Sequence, residues 1–196
     1  CSLDYAPAAT LGKSCACGSS ALVRKACLNP ESLENASMQV TSKPVSASAV
    51  NDQTAIVFPD DLNTLGTLFG GRVMELCDKV CAVVAKRHTG RNCVTLGIDS
   101  VRFLASARHG DILVFKAAVN RAWRTSLEIG VKVLAEDFRT LESTHVVSAY
   151  FTFVGVDEEM RPTPINSVEP QTADEVRRFE QAELRRKSRL ASQPKD

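Results

Sequence analysis

The segment Gly70–His88 restricts the fold more than any other, because it is predicted as a helix with apolar residues on nearly every side. Alanines at positions 82 and 85 would let a sheet approach closely, and Gly90 can form a left-handed cap after the last turn. A helix that is apolar nearly all round is buried. The apolar residues of this segment are Val73, Leu76, Cys77, Val80, Cys81, Val83 and Val84.

Four predicted strands follow the helix. Asn92–Leu104 is rich in β-branched residues, and its apolar alternation changes phase midway, which indicates a β-bulge. Ile112–Asn120, Trp123–Glu136 and Thr144–Val156 also carry apolar residues along one face. The connections are short, so we expect the strands to be antiparallel neighbours. One long buried helix wrapped by four antiparallel strands makes an α+β domain.

The composition divides the chain into three parts. Residues 1–36 are rich in Ala, Ser and Cys, which suits either a transit peptide for a mitochondrion or plastid or a plain disordered extension of a cytoplasmic protein. Residues 37–160 hold the ordered domain, which begins with one or two short strands near Ser37–Val57. Residues 161–196 comprise a linker and a charged helix, Thr172–Leu190, whose basic end we expect to be solvated.

Charge and cysteine spacing exclude several classes of function. The net charge is +1, which gives no reason to expect nucleic acid or an anionic membrane as a partner, and no apolar run is long enough to span a bilayer. The seven cysteines show no metal-ligand or redox spacing, so we expect no metal site and a reducing compartment. Cys77 and Cys81 are predicted to be core side chains.

The stretch Pro59–Asp78 predicts an active site. Asp78 lies well past the first turn of the apolar helix, where a poorly solvated carboxylate has a raised pKa suited to a general base. Asn63 can hold a water or a substrate oxygen, although an asparagine here can instead simply close a turn. Gly70 and Gly71 let substrate approach the backbone, and a free N–H at a helix start can bind an oxyanion.

From about Val57 to Val156, the chain resembles a hotdog-fold acyl-CoA thioesterase of the cytosolic acyl-CoA hydrolase group. A proline that is usual between Phe103 and Gly110 in that group is missing here, which affects the shape of that loop. The resemblance rests on an ordered set of motifs: Asn63-Thr-Leu-Gly66, Phe69-Gly-Gly71, Asp78, Val94-Thr95, His109-Gly-Asp111 and Trp123-Arg-Thr-Ser126.

This resemblance implies a single hotdog domain that hydrolyses a fatty acyl-CoA to the free acid and coenzyme A, as part of fatty acid metabolism. Coenzyme A would be part of the substrate, and no cofactor is expected. In the resembled group the Asn and the Asp act across a dimer interface, so we expect a homo-oligomer, either a dimer or a trimer of dimers. The alternative is a non-catalytic module that binds or senses acyl-CoA, and the presence of Asp78 favours the enzyme.

Several residues are candidates for contacts to coenzyme A. Three arginines lie at predicted strand ends where they could meet its phosphates, although each could also be an ordinary surface residue. Two hydroxyl side chains are candidates for contacts to the pantetheine amides. These five residues are Arg91, Arg121, Arg124, Thr95 and Ser126. None of the three histidines lies in the loop before the helix, where a hotdog dehydratase would be expected to place its catalytic histidine.

Overall fold

The computed structural model of the protein describes residues 40–192, and the elements within that range follow the predicted order. The transit-peptide prediction for residues 1–36 lies outside the described residues. The strands are β1 Ser42–Pro44, β2 Val50–Ile56, β3 Asn92–Phe103, β4 Ile112–Ala122, β5 Ser126–Glu136, β6 Ser143–Val156 and β7 Ser167–Glu169. The two α-helices are α1 Gly70–Thr89 and α2 Ala173–Ser192.

Helix α1 confirms the predicted helix and its cap, since Gly90 closes it in the left-handed conformation at φ 66°. In the single chain the helix is not buried all round, and one flank is open. One face is buried, but Val83 on the opposite face is 38% exposed and Lys79 is exposed beside it. The physical reason is that the sheet curves around one side of the helix only. The buried face consists of Val73, Cys77, Val80, Cys81, Val84, Ala85 and His88.

The sheet has the strand order β2-β4-β5-β6-β3, and all of its pairs are antiparallel. The predicted bulge in β3 is confirmed by register shifts between Thr95 and Gly97 and between Ile98 and Ser100. The prediction that β3 neighbours β4 was wrong. Although only residues 104–111 connect them, β3 pairs with β6 at the far edge, and the sheet's curvature lets the connection span its ends.

The core lies between α1 and the concave face of the sheet. Every second side chain of the central strands points inwards, because successive residues of a strand face opposite sides of the sheet. Burying these side chains supplies the main favourable term for folding. The largest of them are Leu113, Phe115, Leu127, Ile129, Phe151 and Phe153.

Helix α2 packs on the outer, convex face of the sheet, and its basic end is not solvated as expected. Arg185 makes two hydrogen bonds to the carboxylate of Glu128, whose side chain is 0% exposed. Arg186 stacks over the ring of Trp123, and Arg189 forms an ion pair with Asp99 on β3. The sheet therefore supplies acids and an aromatic ring that attract this end of the helix. Neither α-helix within residues 40–192 meets the length and hydropathy needed to cross a membrane.

The segment between β6 and α2 lies against the domain. Strand β7 pairs with β1 in parallel, and Ile165 is buried. Asn166 donates its side-chain N–H to the backbone oxygen of His88 at 2.9 Å, which connects this segment to the end of α1.

Candidate active site

Asp78 lies in the third turn of α1, half-buried and facing the edge strand β3. The hydroxyl of Thr95 on β3 donates a hydrogen bond to Asp78 Oδ1 at 2.7 Å. This bond fixes one carboxylate oxygen and leaves Oδ2 available as an acceptor. Among residues 40–192, no ion pair involves Asp78. The arrangement suits a carboxylate that accepts a proton.

The neighbouring thiols do not suit nucleophilic catalysis. Burial and the charge of Asp78 raise the pKa of Cys77 to about 12, and burial raises the pKa of Cys81 well above its ordinary value. Both thiols are therefore protonated at neutral pH, whereas a nucleophilic cysteine must be a thiolate. The prediction that these cysteines are core side chains is confirmed.

Gly70 and Gly71 occupy the first two positions of α1. Their N–H groups have no acceptor within the helix, because the first turn lacks preceding carbonyls. None of the turn, loop and cap hydrogen bonds of residues 40–192 uses these two groups either. A Cβ at Gly70 would lie 3.2 Å from the ring of Phe103, so glycine permits this close approach. The helix start thus offers N–H donors to an anionic oxygen.

Asn63 closes a turn in the loop before α1. Its side-chain oxygen accepts the N–H groups of Leu65 and Thr67 at 2.9 and 3.2 Å, and its side-chain nitrogen donates to Thr67 Oγ1 at 2.9 Å. The turn that was the alternative interpretation is therefore present. One amide N–H of Asn63 is left after these bonds. Within the described part of the chain, no hydrogen bond joins Asn63 to Asp78.

The candidate coenzyme A residues lie near the same end of the sheet, but they belong to different elements and make different contacts. Thr95 is at Asp78, whereas Ser126 begins β5 and Arg91 follows α1. Arg124 is exposed in the turn before β5. Arg121 lies against α2, where its Nε is 3.2 Å from Glu183 Oε2 and its guanidinium lies 4.0 Å from the ring centre of Phe179.

An exposed apolar surface surrounds the site. Strand β3 is an edge strand in the single chain, yet Leu96 is 65% exposed, and Val94 and Ile98 are also exposed. Phe69 and Phe103 are exposed at the helix start. An apolar edge of this kind marks a surface that another chain covers. The sequence carries a sign of this surface, because the apolar alternation of β3 changes phase and places apolar residues on both faces of the strand.

Across residues 40–192, no group of three His, Cys, Asp or Glu side chains could hold a metal ion.

Comparison with known proteins gives consistent similarities. Residues 65–142 match the model of the thioesterase superfamily. The uncharacterized acyl-CoA thioester hydrolase YkhA of Bacillus subtilis is 36% identical over 124 residues, which cover 63% of this chain and 72% of that protein. A solved apo-hexameric acyl-CoA thioesterase is 41% identical, with a TM-score of 0.74 over 79% of this chain and 100% of that one.

A third similar protein is an acyl-CoA hydrolase from Staphylococcus aureus, solved with butyryl coenzyme A, coenzyme A and coenzyme A disulfide. It is 33% identical, with a TM-score of 0.72 over 76% of this chain and 91% of that one. Its structure has also been solved with an asparagine, an aspartate or a threonine replaced by alanine. Those three residues are fifteen and seventeen positions apart, the same spacing as Asn63, Asp78 and Thr95.

Proposed function

Because the chain belongs to the thioesterase superfamily and is an acyl-CoA thioester hydrolase, we propose that Asp78 activates the water that attacks the thioester. The hydrogen bond from Thr95 to Asp78 carries this proposal, because it orients a carboxylate that has no cationic partner among the described residues. A general base must hold a free acceptor for the proton of the water, and Oδ2 of Asp78 accepts no hydrogen bond from the described residues.

The reaction transfers one hydroxyl and one proton. Asp78 takes a proton from water as the water oxygen bonds to the thioester carbon. The carbonyl becomes an oxyanion, which the N–H groups of Gly70 and Gly71 stabilise. The carbon–sulfur bond then breaks, the acyl group leaves as the carboxylic acid, and the proton from Asp78 neutralises the coenzyme A thiolate. A thiolate leaves readily, so the site needs no strong general acid.

The proposed role of Asn63 requires a second copy of the chain. In one chain its amide serves the turn and does not bond to Asp78, but one N–H remains for a water or a carbonyl oxygen. We propose a homo-oligomer in which the edge strand β3 pairs with the β3 of a partner, so that Asn63 of one protomer faces Asp78 of the other. The apolar exposure of β3 supports this pairing, and a similar thioesterase is described as hexameric.

Coenzyme A is proposed to act as part of the substrate and not as a resident cofactor. The S. aureus relative was solved with butyryl coenzyme A. For this chain we propose acyl-CoA esters as the substrate class, with the preferred acyl length set by the space between protomers. Thiol release from a series of acyl-CoA esters of increasing length measures that preference directly.

The mechanism predicts the effect of replacing Asp78. Asp78→Asn keeps the size of the side chain and an acceptor for Thr95 but removes the base, so kcat should fall by about 10²–10⁴-fold. Glu75→Gln is the matched control, because Glu75 is an exposed acid one turn earlier that forms ion pairs with Arg72 and Lys79. The control should keep kcat within about twofold.

Thiol release and thermal unfolding should be measured together for both variants. Asp78→Asn should unfold at nearly the wild-type temperature, which separates lost chemistry from lost folding. If Asp78→Asn retained most of the wild-type kcat, the role of Asp78 as the base would be wrong.

A further inference from the structure

A cavity of about 360 Å³ lies on the outer face of the sheet, beside α2. We call it the outer-face groove. Its floor consists of small residues, including Ala118 and Gly130, and Tyr150 and Arg178 line it towards α2. Asp78 belongs to α1, which packs on the inner face, so the sheet separates the outer-face groove from the candidate active site.

The outer-face groove contains two lysines that face each other directly. Lys116 on β4 and Lys132 on β5 are paired residues in the antiparallel register, so their side chains project from the same face. Like charges in this position repel each other and destabilise the pair of strands. Arg178 adds a third positive charge, and none of the described residues that line the outer-face groove is an acid.

These three cations differ from several neighbouring arginines of α2. Arg177, Arg185 and Arg189 each form an ion pair with an acid. By contrast, none of the ion pairs of residues 40–192 involves Lys116, Lys132 or Arg178. Three positive charges without an ion pair among the described residues therefore lie together in the outer-face groove.

The shape of the outer-face groove is held open by specific packing. A Cβ at Gly130 would lie 2.9 Å from the side-chain nitrogen of Asn120, so only a glycine fits there without displacing Asn120, and no side chain of residue 130 fills the groove. Tyr150 is held by Arg185, whose guanidinium lies 3.8 Å from the ring centre. Arg185 is itself fixed by the buried carboxylate of Glu128. A rigid wall and a low floor make a preformed site.

We propose that the outer-face groove binds a phosphate-bearing small molecule at Lys116, Lys132 and Arg178. Lysine ammonium groups bind phosphate as point charges, and an arginine can add two parallel hydrogen bonds. A bound dianion would remove the repulsion between the two lysines. The volume is within the range of small-molecule sites and is too small for a folded partner.

Calorimetric titration with pyrophosphate tests this proposal on the full chain. Wild-type protein should bind it, and the double variant Lys116→Gln/Lys132→Gln should bind at least about tenfold more weakly. Arg177→Gln is the matched control, because Arg177 is adjacent to Arg178 but pairs with Asp174 and does not line the outer-face groove. The control should keep the wild-type affinity.

A second titration with coenzyme A separates two sources of phosphate. Coenzyme A binding that weakens in the double variant would assign the groove to the phosphates of the substrate. Coenzyme A binding that is unchanged, together with pyrophosphate binding that is lost, would assign it to a separate phosphate compound. Absence of pyrophosphate binding to the wild type, or equal affinity in the double variant, would overturn the proposal.

The folding of the variants can be checked without ligand. Removing one of two facing lysines relieves repulsion, so the Tm of Lys132→Gln should equal or exceed that of the wild type. Pyrophosphate should raise the Tm of the wild type but not that of the double variant. A large fall in Tm for Lys132→Gln alone would instead make the lysine pair a structural feature.

Discussion

At the scale of single residues, His88 is a polar side chain buried completely at the end of α1. Its Nδ1 lies 3.4 Å from Ser48 Oγ and its Nε2 lies 3.2 Å from the backbone oxygen of Asn166. Burial lowers the pKa of His88, although the backbone hydrogen bond to Asn166 opposes this effect. The folded state therefore holds His88 neutral at pH values where the unfolded chain already protonates it.

This linkage predicts that acid weakens the fold. When the folded pKa lies below the unfolded one, the unfolded chain binds more protons, and stability falls as the pH drops through about 6.5. His88 can contribute a slope of up to about 1.4 kcal/mol per pH unit. Urea unfolding of wild type and His88→Gln between about pH 7.5 and 5 measures how the free energy of unfolding changes with pH. The variant should show the shallower slope, and identical slopes would mean that His88 is not the group responsible.

The candidate active-site residues show what a sequence can and cannot reveal at this scale. Asp78 could be singled out from the sequence, because a carboxylate inside an apolar helix needs a special environment. Thr95 was expected to contact substrate, and in the structure it holds Asp78. The two residues belong to different elements, and only the packing of β3 beside α1 brings them within hydrogen-bond distance. Local spacing carries no information about that packing.

At the scale of elements, α2 is held to the sheet by a charged seam. Glu128 is buried and receives hydrogen bonds from Arg185 and from the side-chain nitrogen of Asn120, the latter at 2.9 Å. Glu183 of α2 accepts the indole N–H of Trp123 at 2.9 Å. A long charged helix with a narrow apolar stripe is therefore fixed to the fold by these polar contacts together with its buried Ala182 and partly buried Phe179.

Removing only the arginine of the buried Arg185–Glu128 pair should lower the stability of the protein strongly. Arg185→Ala leaves the carboxylate of Glu128 buried without its cation, which should lower the free energy of unfolding by about 3–5 kcal/mol. Adding Glu128→Gln removes the buried charge and should restore much of that loss. Arg177→Ala, which breaks an exposed pair with Asp174, should change stability by less than about 1 kcal/mol. Urea unfolding compares all three, and an equally small effect of Arg185→Ala would show that apolar contacts hold the helix.

The elements themselves were predictable where their pattern is local. The bounds of α1 and the bulge in β3 follow from residues within one segment, and both were confirmed. The place of β3 in the sheet and the anchoring of α2 were not predictable, because their partners lie far along the chain. Arg185 pairs with Glu128 across 57 positions, and Arg189 pairs with Asp99 across 90.

At the scale of the whole molecule, a single chain leaves apolar surface uncovered beside the candidate site. Within the described part of the chain, strand β3 is unpaired along one edge, and the outer side of α1 is partly exposed. Asn63 and Asp78 are in the same chain, but the side chain of Asn63 accepts a hydrogen bond from Leu65, whereas that of Asp78 accepts one from Thr95. The proposed oligomer would cover the apolar edge and bring the two residues together from different protomers.

Mixing two variants, each of which the proposed mechanism expects to be inactive, tests this arrangement. Asn63→Asp keeps the oxygen that closes the turn but loses the amide N–H, and Asp78→Asn loses the base. If each site uses Asn63 of one protomer and Asp78 of the other, a mixed dimer has one intact site and one doubly altered site. Unfolding and refolding the two variants in equal amounts should make about half of the dimers mixed and restore about a quarter of wild-type thiol release.

The matched control mixes Asp78→Asn with the double variant Asn63→Asp/Asp78→Asn. No pairing of those two chains contains an intact site, so refolding should restore no activity. If the first mixture also stayed inactive while refolded wild type recovered its turnover, Asn63 and Asp78 would have to act within one chain. The loop that carries Asn63 would then have to leave its turn and move towards α1, because its hydrogen bonds to Leu65 and Thr67 direct the amide away from that role.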